Sequence, residues 1–132
     1  MATMRYMVDD VDAAVAFYTE ALNFSLTQQF GPNMAILTRD DLTLWVAGPN
    51  ASAGRPMPDG RKPEPGGWNR FVIEVADLAK LVAQLRSQGT RFRNDIVEGP
   101  GGKQILAEDP SGNVIELFEP ASMATPAIPP VG

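Results

Sequence analysis

Two residue types are missing from this chain of 132 residues: it has no cysteine and no histidine. Without cysteine there are no disulfides, thiolate metal sites or thiol nucleophiles. Without histidine, a metal centre of two histidines and one carboxylate is out of reach. Basic charge is scarce as well, with 11 Lys and Arg against 16 Asp and Glu and a net charge of −5. Phosphate binding needs clustered cations, so neither nucleic acid nor an anionic membrane is an expected partner, and a cationic ligand is favoured. Long apolar runs are also lacking. The opening MATMRYMVDD reaches acidic residues within ten positions, and no later segment approaches the roughly 18 apolar residues of a membrane span. The expectation is a cytoplasmic protein.

Hydrophobic residues make up 44% and charged residues 20%, the balance of one folded domain at this length. MRYMV (4–8) reads as a strand, and Asp9 or Asp10 can cap the helix that follows. Val11, Ala14, Val15, Tyr18, Ala21 and Leu22 recur at helical spacing as one apolar face, and Asn23 suits a left-handed helix end. NMAILT (33–38) and LTLWV (42–46) read as strands joined by Arg39, Asp40 and Asp41. Residues 49–67 are a Pro- and Gly-rich connector.

After the connector the pattern returns. WNRFVIEV (68–75) reads as a strand, Asp77 as a cap, Leu78, Leu81, Val82 and Leu85 as a helix face, and Gly89 as its stop. RFRNDIV (91–97), KQILAE (103–108) and NVIELF (113–118) have strand character. VDDVDAAVAFYTEALNF lies beside EVADLAKLVAQLRSQGTRF when the caps are aligned, and LTLWV falls opposite VIELF. Spacing of this kind marks two copies of one supersecondary unit. The chain is therefore expected to be an α+β domain over residues 1–120, made of two βαβββ repeats (3–48 and 68–120) whose sheets curl around a shared cleft. The remainder, 121–132, is Pro-rich and is expected to be a tail or an arm. GPGGK (99–103) has no helix after it and reads as a hairpin loop, not a phosphate loop.

The paired βαβββ pattern, FYTEALNF and above all EDPSGNVIELFEP (108–120) resemble the vicinal oxygen chelate superfamily. That group includes glyoxalase I, extradiol dioxygenases, fosfomycin-modifying enzymes and the bleomycin-resistance proteins. TRDDLTLWVAG (38–48) is most similar to the bleomycin-binding members. The resemblance implies a homodimer. It also implies four metal-ligand positions, which here hold Thr3, Leu44, Arg70 and Glu116. Only Glu116 is a strong ligand, and zinc or iron sites generally want three or four donors. No cofactor is expected, with a weak Mg²⁺ or Mn²⁺ site on other carboxylates as the one alternative.

With Glu116 facing the cleft, strand alternation turns Val114 and Phe118 the same way, together with Arg70, Val72 and Glu74, Thr3, Arg5 and Met7, and Leu42, Leu44 and Val46. Trp45 and Phe71 then point to the helices. Arg70 and Glu116 are expected to form a salt bridge, the guanidinium standing in for an ion. Phe30 and Phe118 are the candidate stacking surfaces, and Trp68 sits at the cleft mouth. The candidate ligand-binding residues are thus Arg5, Met7, Phe30, Leu44, Trp68, Arg70, Glu74, Glu116 and Phe118. The function expected is metal-independent binding and sequestration of a small organic molecule, of antibiotic type. The alternative is a glyoxalase-like lyase or isomerase with Glu116 or Glu74 as its base.

Overall fold

A computed structural model describes residues 2–121. Within them the chain resolves into two compact units, residues 2–67 with 109–113, and residues 68–108 with those from 114 on. The expected tail, 121–132, lies outside the described residues from position 122 on. No helix among the described residues is long and apolar enough to cross a membrane.

The first unit runs β1 (Ala2–Met7), α1 (Val11–Leu22), β2 (Ser25–Phe30), β3 (Met34–Arg39) and β4 (Leu42–Ala47). Its sheet has the order β1-β4-β3-β2, with β1 parallel to β4 and the other pairs antiparallel. Asp10 opens α1 by accepting the Ala13 N–H at 3.1 Å, and Asn23 closes it in the left-handed region at φ 59°. Both ends are where the sequence places them. Val11, Ala14, Tyr18 and Leu22 are buried on one helical face. β2 carries no strand signal in SLTQQF because it is a sheet edge: Leu26 is 43% exposed and Phe30 is 48% exposed.

The second unit runs β5 (Phe71–Glu74), α2 (Leu78–Ser87), β6 (Arg91–Phe92), β7 (Val97–Gly99), β8 (Gly102–Glu108) and β9 (Val114–Pro120). Strands β5, β9, β8 and β6 lie in that order, β5 parallel to β9, and β7 also pairs with β8. Asp77 caps α2 through the Lys80 N–H, and the chain turns away at Gly89, φ +87°. Phe71, Ile73, Ile105, Ala107, Ile115 and Leu117 are buried on one face of the sheet, and α2 buries Leu78, Val82 and Leu85. Each of the Phe, Ile, Leu and Val side chains among them contributes about 1.5–3 kcal/mol by leaving water.

RFRNDIV, expected as one strand, is broken into β6 and β7. The cause is local. The Arg93 N–H bonds the Leu106 carbonyl, and the Leu106 N–H is taken by the Asn94 side chain at 2.9 Å, so an amide side chain replaces one rung of the ladder. GPGGK does form the β7–β8 turn. Gly102 sits at φ +145°, where an added Cβ would run into the Glu119 carbonyl oxygen.

The DPSGN turn belongs to the first unit. Asp109, 1% exposed, accepts from the Tyr18 hydroxyl at 2.8 Å, from the Ser111 and Asn113 N–H groups at 2.9 Å each, and from the Asn113 amide at 3.0 Å. Asn113 also donates to the Met7 carbonyl and accepts from the Gly66 N–H, and the Ser111 hydroxyl accepts the Asp9 N–H. The motif therefore ties together the ends of β1, α1 and the connector. Proline and glycine shape the turn, while aspartate and asparagine satisfy the buried polar groups around it.

Burial, then the Asp109 carboxylate, pushes the Tyr18 phenol well above the ordinary tyrosine value. In the unfolded chain this phenol ionises near pH 10. The folded state keeps the proton, so this contribution to stability is complete below about pH 10 and is lost as pH rises further. Tyr18→Phe is expected to cost about 1–2 kcal/mol at neutral pH by removing one bond to a charged acceptor. The gap between parent and variant should close above pH 10 in urea titrations, and parallel curves would contradict the assignment.

Candidate functional site

In the second unit, one sheet face is packed with apolar side chains and the other carries charge. The register sets Val72 beside Glu116, Glu74 beside Phe118, Leu106 beside Glu116, Gln104 beside Phe118 and Glu108 beside Val114. Arg70 lies one residue before β5. The predicted ion pair is formed: Arg70 Nη2 and Nε donate to Glu116 Oε1 at 2.9 and 3.1 Å. Their side chains are 29% and 12% exposed, so the charges are shielded from much of the solvent. Arg70 Nη1 donates to the Trp68 carbonyl at 3.2 Å.

A second charged pair extends the array. Arg93 Nε donates to Glu108 Oε2 at 2.8 Å, and Arg91 Nε lies 3.6 Å from Glu108 Oε1. The Arg93 guanidinium stacks 4.5 Å over the Trp68 ring, which is itself 66% exposed. The contacts thus run from Glu116 through Arg70, Trp68 and Arg93 to Glu108. Sequence reading found Arg70, Glu116 and Trp68 but not Arg93 or Glu108. Arginine and glutamate in RFRN and AEDP carry no periodic signal, and a strand break lies between Phe92 and Val97.

This face has acceptors to offer. Both bonds from Arg70 land on Oε1 of Glu116, so Oε2 keeps its lone pairs for another donor. Glu74 is exposed and forms no hydrogen bond or ion pair among the described residues. Beside these acceptors stand apolar surfaces: Val72 is 51% exposed, and Leu106 and Phe118 are partly exposed. The arrangement can bury an organic skeleton and meet donor or cationic groups at its polar end.

In the first unit the register corrects an expectation. Thr3 pairs with Thr43, Arg5 with Trp45 and Met7 with Ala47, whereas Leu44 lies between Met4 and Leu37. Neighbours across a ladder share a face. Leu44 and Val46 are 0% exposed core residues, and Leu42 shares their face. Trp45 takes the open face instead, with the Arg5 guanidinium 5.0 Å above its ring. The assigned orientations of Leu42, Leu44, Val46 and Trp45 are all reversed. LTLWVA is apolar at consecutive positions, so its own alternation does not set its facing, and pairing with β1 does. Phe30 lies on the open face in one row with Met34, Ala47 and Met7. Phe71, 8% exposed, is core as expected.

The metal-ligand positions of the resembling family, read with the corrected register, hold Thr3, Trp45, Arg70 and Glu116. The single carboxylate among these residue types already faces a guanidinium at 2.9 Å, and indole and threonine are poor ligands. Among the described residues no three His, Cys, Asp or Glu side chains are grouped to hold one.

Comparison with known proteins gives a consistent fold. A probable chloroplastic lactoylglutathione lyase of Arabidopsis thaliana is 27% identical over 135 residues, covering 90% of this chain but 35% of its own length. This chain therefore spans about a third of that relative. Lactoylglutathione lyase from Agrobacterium tumefaciens superposes with a TM-score of 0.71 at 18% identity, over 90% of this chain and 92% of the other. TnmS3, an antibiotic binding protein from Streptomyces sp. CB03234, does so with a TM-score of 0.64 at 24% identity, over 92% and 97%. At these identities the solved structures speak for the fold alone. The family model described as Glyoxalase/Bleomycin resistance protein/Dioxygenase superfamily matches residues 1–117, and the chain belongs to that superfamily.

Proposed function

We propose that the protein binds and sequesters a small organic molecule of antibiotic type, without a metal ion or other cofactor. The observation that carries this reading is the Arg70–Glu116 pair: a guanidinium occupies the carboxylate that a metal ion would need. Val72, Leu106, Phe118 and the exposed Trp68 ring supply apolar contact, while Glu74 and Glu116 Oε2 accept from a donor or cationic group. The net charge of −5 favours approach of a cation.

Thermal-shift screening against cationic peptide antibiotics, aromatic acids and 2-oxoaldehyde adducts tests it, because a ligand that binds only the folded state raises Tm with its concentration. A cationic antibiotic is expected to raise Tm equally with and without EDTA, and Glu74→Gln is expected to weaken it by about tenfold. Transition metal retained stoichiometrically through dialysis, or binding abolished by EDTA, would overturn the proposal.

The name of the plant relative favours a second reading, a lyase or isomerase with Glu74 as its base. Arg70 already engages Glu116 Oε1 through two hydrogen bonds, which leaves Glu74 as the carboxylate with no side-chain partner among the described residues. Turnover of a 2-oxoaldehyde–thiol adduct that Glu74→Gln abolishes while binding persists would establish the enzyme. We further propose that the protein is cytoplasmic and a homodimer, with exposed Val97 among the apolar groups available for contact. Solution scattering tests the mass.

A further inference from the structure

The open face of the first sheet is organised in rows that the register defines. One row is hydroxylic: Thr3, Thr43, Thr38 and Ser25. The next holds Arg5, Trp45, Ile36 and Gln28, and the third Met7, Ala47, Met34 and Phe30. Arg5 is the single charged side chain in these rows. The chemistry is opposite to that of the second sheet, where carboxylates are the exposed acceptors.

Arg5 and Arg70 illustrate two ways of holding a guanidinium on a strand. Arg70 spends Nε, Nη1 and Nη2 on Glu116 and the Trp68 carbonyl. Arg5 is held by the face of Trp45, 5.0 Å from the ring centroid, and has no hydrogen bond or ion pair among the described residues. A cation–π contact uses the ring quadrupole and consumes none of the five N–H donors. The guanidinium is thus oriented while its donor fork remains unspent, which lowers the entropy cost of engaging a planar bidentate acceptor.

We propose that this face recognises the carboxylate of a planar aromatic acid, with Arg5 as the cation and the Thr3 hydroxyl as a neighbouring donor. The aromatic ring lies against Ile36, Met34 and Phe30, and the methionine adapts to its shape. Carboxylate and guanidinium match as two parallel hydrogen bonds, and the half-buried indole beneath strengthens them by limiting water. The protein's net negative charge does not forbid this, because at about 0.1 M salt charges more than roughly 10 Å away are largely screened. The inference rests on the reading of the protein as a small-molecule binder and assigns to the first sheet a ligand class opposite in charge to that of the second.

The two tryptophans make the test specific, since Trp45 lies in the first unit and Trp68 in the second. In ¹⁵N-labelled full-length protein, their indole N–H signals are assigned with Trp68→Phe and followed during titration with naphthoate, naphthalene methanol and naphthylmethylammonium. Naphthoate is expected to shift the Trp45 signal saturably, and the neutral alcohol to bind about tenfold more weakly or worse. Arg5→Gln should weaken naphthoate by a similar factor, and Arg5→Lys should restore part of it. Arg5 is exposed, so neither variant should disturb the dispersion of the spectrum. An unmoved Trp45 signal overturns the inference, as do equal affinities for acid and alcohol or an Arg5→Gln variant with parental affinity. A shift of Trp68 alone overturns it too, while leaving the binding function itself standing. Failure of every cationic ligand in the thermal screen counts against that function and not against this site.

Discussion

Replacing Asp109 with alanine is expected to remove about 3–5 kcal/mol of stability, a large part of what holds a domain of this size folded. The side chain is 1% exposed and accepts from the Tyr18 hydroxyl, two backbone N–H groups and the Asn113 amide. Alanine leaves those donors facing a space without an acceptor, and each unsatisfied buried donor costs about 1–3 kcal/mol before any relaxation or water entry. Losses within one network do not add, so the total is smaller than the sum of its parts. Asp109→Asn gives an intermediate result. An oxygen at the Oδ1 position still serves the Ser111 and Asn113 N–H groups, but an amide at the Oδ2 position opposes the Asn113 amide donor-to-donor. Urea unfolding of the three proteins measures the order, and an alanine variant within about 0.5 kcal/mol of the parent would contradict the role given to this turn.

Removing Arg70 alone should be nearly as damaging, and removing its partner as well should repair most of the loss. Arg70→Met leaves the Glu116 carboxylate, 12% exposed, without its cation, for an expected cost of about 2–3 kcal/mol. This is below the value for a fully buried pair because Arg70 is 29% exposed and water reaches it. Glu116→Leu costs less, since Arg70 retains its bond to the Trp68 carbonyl and its access to solvent. In the double variant no charge is stranded, and an apolar pair of similar volume fills the space between Val72 and Leu106. A coupling of about 1–3 kcal/mol is expected from the double-mutant cycle. Additive losses would mean that the two side chains meet without depending on each other. The double variant also separates stability from recognition: it should fold, and it should lose Glu116, one of the two acceptors proposed for a cationic ligand.

Much of this was legible in the chain itself because the responsible physics is local. Asp10 and Asp77 cap helices through N–H groups three residues away, and Asn23 and Gly89 end them because they tolerate positive φ. The repeat of these signals at matched spacing announced two βαβββ units, and the alternation of EDPSGNVIELF placed Glu116 opposite Ile115 and Leu117. What escaped was decided by pairing. SLTQQF became a strand because β3 offered it an edge, and RFRNDIV was interrupted because Asn94 supplied a rung from its side chain. The Trp68–Arg93–Glu108 array joins three segments whose nearness has no one-dimensional trace.

By itself, then, the sequence determined the helices and their ends, the doubled supersecondary unit and the absence of histidine and cysteine chemistry. Each follows from short-range sterics, capping, composition or the strict period of a strand. Only the tertiary structure decided which face of LTLWVA is open, and so put Trp45 rather than Leu44 beside Arg5. The reason is that a strand apolar on both sides has two nearly equivalent facings, and hydrogen-bonded register with its neighbours chooses between them. It also revealed the work of Asp109, whose partners come from distant segments and are desolvated together only once the chain has folded.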